Sequence, residues 1–519
     1  MDESGCPRDA PDLGLLRLPN EILIDILELL DPADPGVFAL STLCKRLHYL
    51  ALPIYLAGHG ISDTAELAFQ DLVLGSTQLD VLAALQTSLF IHSLKHISCS
   101  FSLNSARREY TPRDMDHFFR HMSRLSAFLS NLQRVEEVTL NLKDVNFWTI
   151  SENPEILETW SPIVSTLLDC VLEKGCKALN VEGGMFIVHP SQFQPKLGPR
   201  TVVKRRSAIF DVGHRIGSAF LGRSNIREIA DPGKTELGKT AAALETFNIH
   251  SRMLLLPPCS TWTMSALKTS PNLTSLSIMR VDIPERSWDE ILSSIHVPAL
   301  EDLTFDLRCK IRAAAFDQFL ARHPLIKTLS LGRDLIALAE GDVASKDCLA
   351  NLRHLSATPT YVRFLMTDKR APAVQTLRLV VKVASNAIFK TAAINCILVP
   401  CHPRIERVHL TLVVIVDHVS SHWAEFFQDS EEPGENIVPQ EKNSLQHARA
   451  LELVATSASD AFEALALRLL PLFPALQSLS ASGCSNNSLN APSFVSRVKE
   501  ACPELQRVTL DGRIYDAVF

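Results

Sequence analysis

Apolar residues along most of this 519-residue chain fall into a six-residue pattern, apolar-x-x-apolar-x-apolar, that recurs thirteen times. The units begin at Leu94, Val135, Cys176, Leu244, Leu273, Leu300, Ile326, Leu352, Val374, Ile405, Ala448, Leu476 and Leu505. Apolar and polar positions alternate at the end of each unit, as in a strand with one buried face. From Leu244 to Val374 successive units are 29, 27, 26, 26 and 22 residues apart. In the gaps the period lengthens to that of an amphipathic helix, as in SWDEILSSIHV from Ser287, AAAFDQFLARH from Ala313, DAFEALALRLLPLF from Asp460 and SFVSRVKEAC from Ser493. A proline just upstream of many units (SPNLTSL, VPALEDL, HPLIKTL, APAVQTL, FPALQSL, CPELQRV) stops the preceding helix and sets an extended entry to the strand.

Strand, helix, proline, strand is a unit whose apolar face only its neighbours can bury, so the pattern predicts a solenoid. The period and the units resemble leucine-rich repeats, in a divergent form because the Asn or Cys usual after the strand is mostly missing. The resemblance spans residues 91 to 519. It implies an α/β fold: a curved solenoid with a parallel inner sheet and outer helices. On that sheet alternate strand residues face the open side: Ser275 and Ser277, Asp302 and Thr304, Thr328 and Ser330, His354 and Ser356, Thr376 and Arg378, Arg407 and His409, Ser478 and Ser480, Arg507 and Thr509. A surface so rich in small hydroxyls suits a protein partner better than an apolar ligand.

The N-terminal stretch LPNEILIDILELLDPADPGVFALSTLCKRLHYLAL follows another rule. Leu18, Ile22, Ile26 and Leu29 or Leu30 fall on one face of a helix that starts at Pro19 and carries Glu21 in its first turn. DPADPG ends it. A second helix is expected from Val37, with Val37, Leu40, Leu43, Leu47 and Leu50 on one stripe and Lys45, Arg46 and His48 turned away. Two helices in about 35 residues cannot bury so many apolar side chains against each other, so part of this surface is expected to meet a partner. The spacing of Leu18, Pro19, Glu21, Ile22 and Ile26, then Leu40, Leu43, Cys44 and Leu47, resembles the F-box. The resemblance covers residues 15 to 56 and departs from the common pattern in its two-proline link. It implies that Leu18, Pro19, Ile22, Ile26, Leu40, Leu43 and Leu47 contact the Skp-type adaptor of an SCF ubiquitin ligase, and through it a cullin scaffold.

The expected organisation is thus a flexible 1–14, the docking helices at 15–56, a linker or capping repeat at 57–90, and the solenoid at 91–519. Two insertions interrupt the repeats. Residues 183–243 carry ten Lys or Arg against four Asp or Glu in a chain of net charge −7, and Arg200, Lys204, Arg205 and Arg206 lie there. These four, with Arg378, Arg407 and His409, are the candidate substrate contacts, since arginine clusters suit acidic or phosphorylated segments. Residues 424–444 form an acidic insertion. The net charge gives no global reason to expect nucleic-acid binding. The twelve cysteines include no CxxC pair and no closely spaced framework, no apolar run approaches a membrane span, and the acidic start lacks the features of a signal peptide, so a cytosolic or nuclear setting is expected.

No catalytic constellation stands out. GKTELGKT at 233–240 matches the P-loop spacing, but a charged IREIADP precedes it and only AAA separates it from the next repeat strand, where a P-loop needs a buried strand and then a helix. The His pairs 92/96, 117/121 and 418/422 lack a third ligand or an HExxH glutamate, and no cofactor or metal is expected. A non-enzymatic receptor for a protein substrate follows. The alternatives are a scaffold whose N-terminal hairpin only caps the solenoid and, less readily, a nucleotide-binding protein.

Overall fold

The computed structural model describes residues 17–61, 71–102, 112–147, 154–186, 241–256, 259–306, 309–332, 335–337, 349–366, 371, 373–383, 409–416, 448–455, 463, 466–467, 470, 473, 475–482 and 491–516. The N-terminal element has three helices: α1 (Asn20–Glu28), α2 (Pro35–Ser41) and α3 (Lys45–Gly58). Helix α1 starts behind an extended Pro19, whose carbonyl accepts the Leu23 N–H at 3.1 Å. Pro35 opens α2, and the Asp34 carboxylate accepts the Gly36 N–H at 2.6 Å.

The single second helix expected from Val37 is in fact two. The Ser41 and Thr42 hydroxyls donate to the carbonyls of Phe38 and Ala39, each at 2.7 Å, and Cys44 is fully extended (φ −157°) before α3 begins. This break rotates Leu43 and Leu47 to opposite sides. Leu43 is 70% exposed, whereas Leu47 is 3% exposed and packed inside. The end of α3 is closed by a left-handed Gly60 (φ +79°), with Gly60 N–H donating to Ala57 and Ile61 N–H to Leu56, both at 2.9 Å.

The body is one fifteen-stranded sheet. Its first strands are β1 (Asp71–Leu74), β2 (Ser93–Ser102), β3 (Arg134–Phe147), β4 (Ala178–Phe186), β5 (Thr246–His250), β6 (Ser275–Met279) and β7 (Asp302–Asp306). A two-residue β8 (Ile311–Arg312) pairs instead with β10 (Ile336–Ala337). The main sheet continues through β9 (Thr328–Leu331), β11 (His354–Ala357), β12 (Thr376–Val383), β13 (His409–Val416), β14 (Ala448–Ala455), β15 (Ser478–Ser482) and β16 (Arg507–Leu510). All these neighbours run parallel and in chain order, and only the last, β17 (Arg513–Asp516), is antiparallel. The stretch 57–90, for which linker and capping repeat were both open, supplies β1, which pairs with β2, and a short helix α4 (Leu82–Leu85).

Register follows the six-residue pattern. Ile97, Val138, Leu179, Phe247, Leu276, Leu303, Leu329, Leu355 and Leu377 lie side by side, with the motif's final residues beside one another in the same way. The helices that cover the buried face are α5 (Pro112–Asn131), α6 (Pro154–Glu173), α7 (Arg252–Leu255), α8 (Ser260–Thr269), α9 (Glu285–Ser294), α10 (Ala313–Arg322), α11 (Pro359–Met366) and α12 (Ala491–Ala501). Between them runs one continuous core that also takes in Leu27, Val37, Leu52, Tyr55 and Leu56 of the N-terminal helices. At its centre the Phe305 ring meets Trp288, Phe316 and Phe319 edge-on, with centroids 6.1, 6.0 and 6.2 Å away.

One correction concerns β13. The pattern placed Val408 and Leu410 in the core, but Leu410 and Leu412 register against Leu377 and Leu379, two residues later. The residue beside Arg378 is therefore Thr411, and His409 stands beside Thr376. Polar bonds between repeats take an unexpected form. Asn272 and Asn351, each just before a motif's first leucine, and Asn131, four residues before Val135, donate to carbonyls of the preceding repeat (Ala242, Pro324 and Gln86) at 2.7, 3.0 and 2.8 Å.

Candidate functional site

Among the described residues, most of the large apolar side chains that are exposed lie on the N-terminal helices. Of the ten such residues exposed among those described, Ile22, Ile26, Leu29, Leu30, Leu43 and Tyr49 all belong to this element. Leu29 is 86% exposed. Interaction sites are built from exposed apolar residues gathered in this way. The inner face of the same helices is filled by Leu23, Leu27, Val37, Leu47 and Leu52, so amphipathicity alone does not explain the outer set. Of the residues expected at the docking surface, Pro19, Ile22, Ile26 and Leu43 are exposed, Leu18 and Leu40 are half-buried, and Leu47 supports the surface from within. Tyr49 had no place in the sequence pattern, because the break before Lys45 sets which side of α3 faces outward.

Two side chains fix this surface, one within the N-terminal element and one to the rest of the protein. The Arg46 guanidinium donates to the Asn20 side chain and the Leu18 carbonyl, joining the starts of α1 and α3. His48, buried, has Nδ1 3.2 Å from the Ser41 carbonyl, while its Nε2 lies 3.1 Å from the Leu89 N–H of the first repeat. With the Leu89 N–H donating to Nε2, Nδ1 carries the proton and donates to Ser41. Burial lowers the His48 pKa below its ordinary value, an effect only partly opposed by the Ser41 bond. A neutral His48 thus joins the helices to the solenoid.

The open face of the sheet forms a second surface. Its middle row runs through Ser98, Thr139, Asn180, Asn248, Ser277, Thr304, Ser330 and Ser356 before reaching Arg378. The Asn180 amide donates to Thr139 Oγ1 at 3.2 Å and to Glu137 Oε1 at 3.1 Å, and the Asn248 amide donates to Asn180. Lys143 pairs with Glu182 at 2.5 Å. Arg378 already has a partner two strands away: its Nη2 lies 2.7 and 2.6 Å from the two oxygens of Glu452.

Of the other candidate contacts, Arg200, Lys204, Arg205, Arg206 and Arg407 lie outside the described residues, as do the P-loop-like segment 233–240 and the acidic insertion. The chain directly after 240 forms a three-residue 3-10 turn, Ala241–Ala243, and then β5. His92 and His96 lie at the entrance to and within β2 rather than on a helix. His117 and His121 do share α5, with ring centroids 6.3 Å apart. Burial pushes the thiols of Cys99, Cys176, Cys259 and Cys309 up to about 12, so these cysteines are packing groups and not nucleophiles. Among the described residues no group of three or more His, Cys, Asp or Glu gathers as a metal site, and no helix is long and apolar enough to cross a membrane.

Comparison with known families assigns residues 15–52 to the F-box domain. The chain thus carries an F-box domain at residues 15–52, followed by a body of strand repeats defined by their own pattern and register. Comparison with curated proteins returned no match. Among solved structures it is similar to the leucine-rich repeat-containing protein LegL7 from Legionella pneumophila, at 12% identity and a TM-score of 0.31, over 84% of this chain and 98% of that one. It is also similar to TLR13 in a complex with ssRNA13, at 12% identity and a TM-score of 0.30, over 88% of this chain and 57% of that one. Likeness at this level adds nothing to the functional argument.

Proposed function

We propose that this protein is the substrate-recognition subunit of an SCF-type cullin ubiquitin ligase. The outer face of α1–α3 docks on a Skp-type adaptor, and the solenoid holds a protein substrate. The observation that carries the reading is the concentration of exposed apolar side chains on the F-box helices over a filled inner face. Such a receptor needs no chemistry of its own, because holding a target lysine near a charged ubiquitin carrier raises its effective concentration. The polar open face supports a protein ligand, with Arg378 and the basic residues Arg200, Lys204, Arg205, Arg206 and Arg407 as candidate contacts together with His409. A cytoplasmic or nuclear location fits this role.

The test is co-purification of the full chain with a Skp-type adaptor, alongside an Ile22→Ala, Leu29→Ala, Leu43→Ala variant. Burying these exposed Leu and Ile side chains is worth about 1 kcal/mol or more each, so the triple variant is expected to bind at least about a hundredfold more weakly with its circular dichroism unchanged. No binding by the native chain refutes the reading. It would favour the capping role, which the shared core of α3 and the first repeat also supports; a chain lacking residues 1–61 would then fail to fold.

A further inference from the structure

We infer that the adaptor-docking surface does not end with the F-box domain but continues onto the first repeat, where Leu89 and the edge of Phe90 extend it. The inference rests on the receptor reading above. Leu89 lies 37 residues beyond the last residue of the matched domain (89 − 52) and is 45% exposed. Its N–H is held by His48 Nε2, and the other nitrogen of that ring meets Ser41, two residues before Leu43. One imidazole therefore bridges the 41–43 turn and the 89–90 turn. The rings around it close the gap: His48 to Tyr49 5.8 Å, His48 to Phe90 6.0 Å, Tyr49 to Phe90 6.2 Å.

Leu43, Tyr49 and Leu89 thus form one exposed apolar strip over a buried histidine. The segments that carry Leu43 and Leu89, Ser41–Cys44 and Gln86–His92, contain no Asp, Glu, Lys or Arg, and Tyr49 sits on α3, which opens with an exposed Lys45 followed by Arg46. The complementary partner surface is apolar with an acidic rim, and continuity with the F-box face assigns it to the adaptor. A grip on both sides of the joint would hold the solenoid at a fixed angle to the adaptor.

The experiment measures adaptor affinity by calorimetry for the full-length native chain and for L89S, L89M, L43S and L325S. Leu325 is an equally exposed leucine (45%) far along the solenoid, which makes it the matched control. Leu89→Ser is expected to weaken binding about tenfold, while Leu89→Met and Leu325→Ser bind like the native chain. Native-like binding by Leu89→Ser with loss in Leu43→Ser overturns the inference and leaves the receptor reading intact. Equal weakening in Leu89→Ser and Leu89→Met, with lowered melting temperatures in both, also overturns it, because fold damage would then explain the loss. Absence of native binding overturns both.

Discussion

Replacing Phe305 by alanine should open the solenoid in its middle and nowhere else. The Phe305 ring is wholly buried on β7 and meets Trp288, Phe316 and Phe319 edge-on. Full burial of a Phe side chain is worth about 1.5–3 kcal/mol, and each edge-on pair adds about 0.5–1.5 kcal/mol. Neighbours relax only in part into the cavity, and Phe truncations cost about 3–5 kcal/mol; with three aromatic partners the upper figure applies. In a solenoid each repeat touches only its neighbours, so the damage stays local. At about 1.4 kcal/mol per tenfold, amides of β6, β7 and β9 should exchange with solvent about three to four orders of magnitude faster, as read by hydrogen-exchange mass spectrometry. Peptides from β2 to β4 should keep native protection, and adaptor binding should be unchanged. Protection lost evenly along the sheet, or a change under about tenfold at β7, would refute both the magnitude and the one-dimensional picture.

Two further outcomes follow from the same geometry. Burial lowers the pKa of His48, His121, His250 and His323, so the folded chain refuses protons that the unfolded chain accepts. Stability should be flat above about pH 7 and fall as pH drops through about 6.5. His323 accepts the Val297 N–H at 3.2 Å as His48 accepts that of Leu89, so His323→Gln should flatten the acid slope of the urea midpoint between pH 7.5 and 5.5; an unchanged slope contradicts this. Gly183 (φ +75°) and Gly512 (φ +82°) are both left-handed, yet a Cβ at Gly183 would lie 2.5 Å from the Lys143 backbone and one at Gly512 meets nothing within 4 Å. Gly183→Ala should cost about 3 kcal/mol or more and Gly512→Ala about 1 kcal/mol in thermal unfolding, and equal losses would count against the close packing of β3 on β4.

Thirteen of the strands were legible because one rule marks them: an apolar-x-apolar pair inside, polar residues between. The rule fails at β13, where Val408, Leu410, Leu412, Val414 and Val416 are all apolar at one parity, so alternation, which a two-residue slip leaves unchanged, cannot choose between registers. The pairing with β14 shows the same ambiguity as a bulge between Leu410 and Thr411. On α1, the outward placement of Ile22 and Ile26 could be read from the helical period. The split between α2 and α3 could not, since no Gly or Pro marks it and the break rests on two hydroxyls turning back on their own helix. Leu89 carries no signal of its own, because its role comes from a histidine 41 residues earlier in the chain. The asparagines that tie the repeats together sit ahead of the strand motif rather than after the strand, where the usual repeat keeps them.

The unbroken chain order of the sheet makes the protein a ruler. Strands lie about 4.8 Å apart, so the eight steps from β2 to β12 place Arg378 about 38 Å along the inner wall from the repeat beside the F-box. A ligand gripped near Asn180 and one gripped near Arg378 would stand at different distances from anything bound to α1–α3. Adding or deleting a whole repeat between those strands would slide the far grip by one step while leaving both ends chemically unchanged. Reach, in such a molecule, is a matter of counting strands.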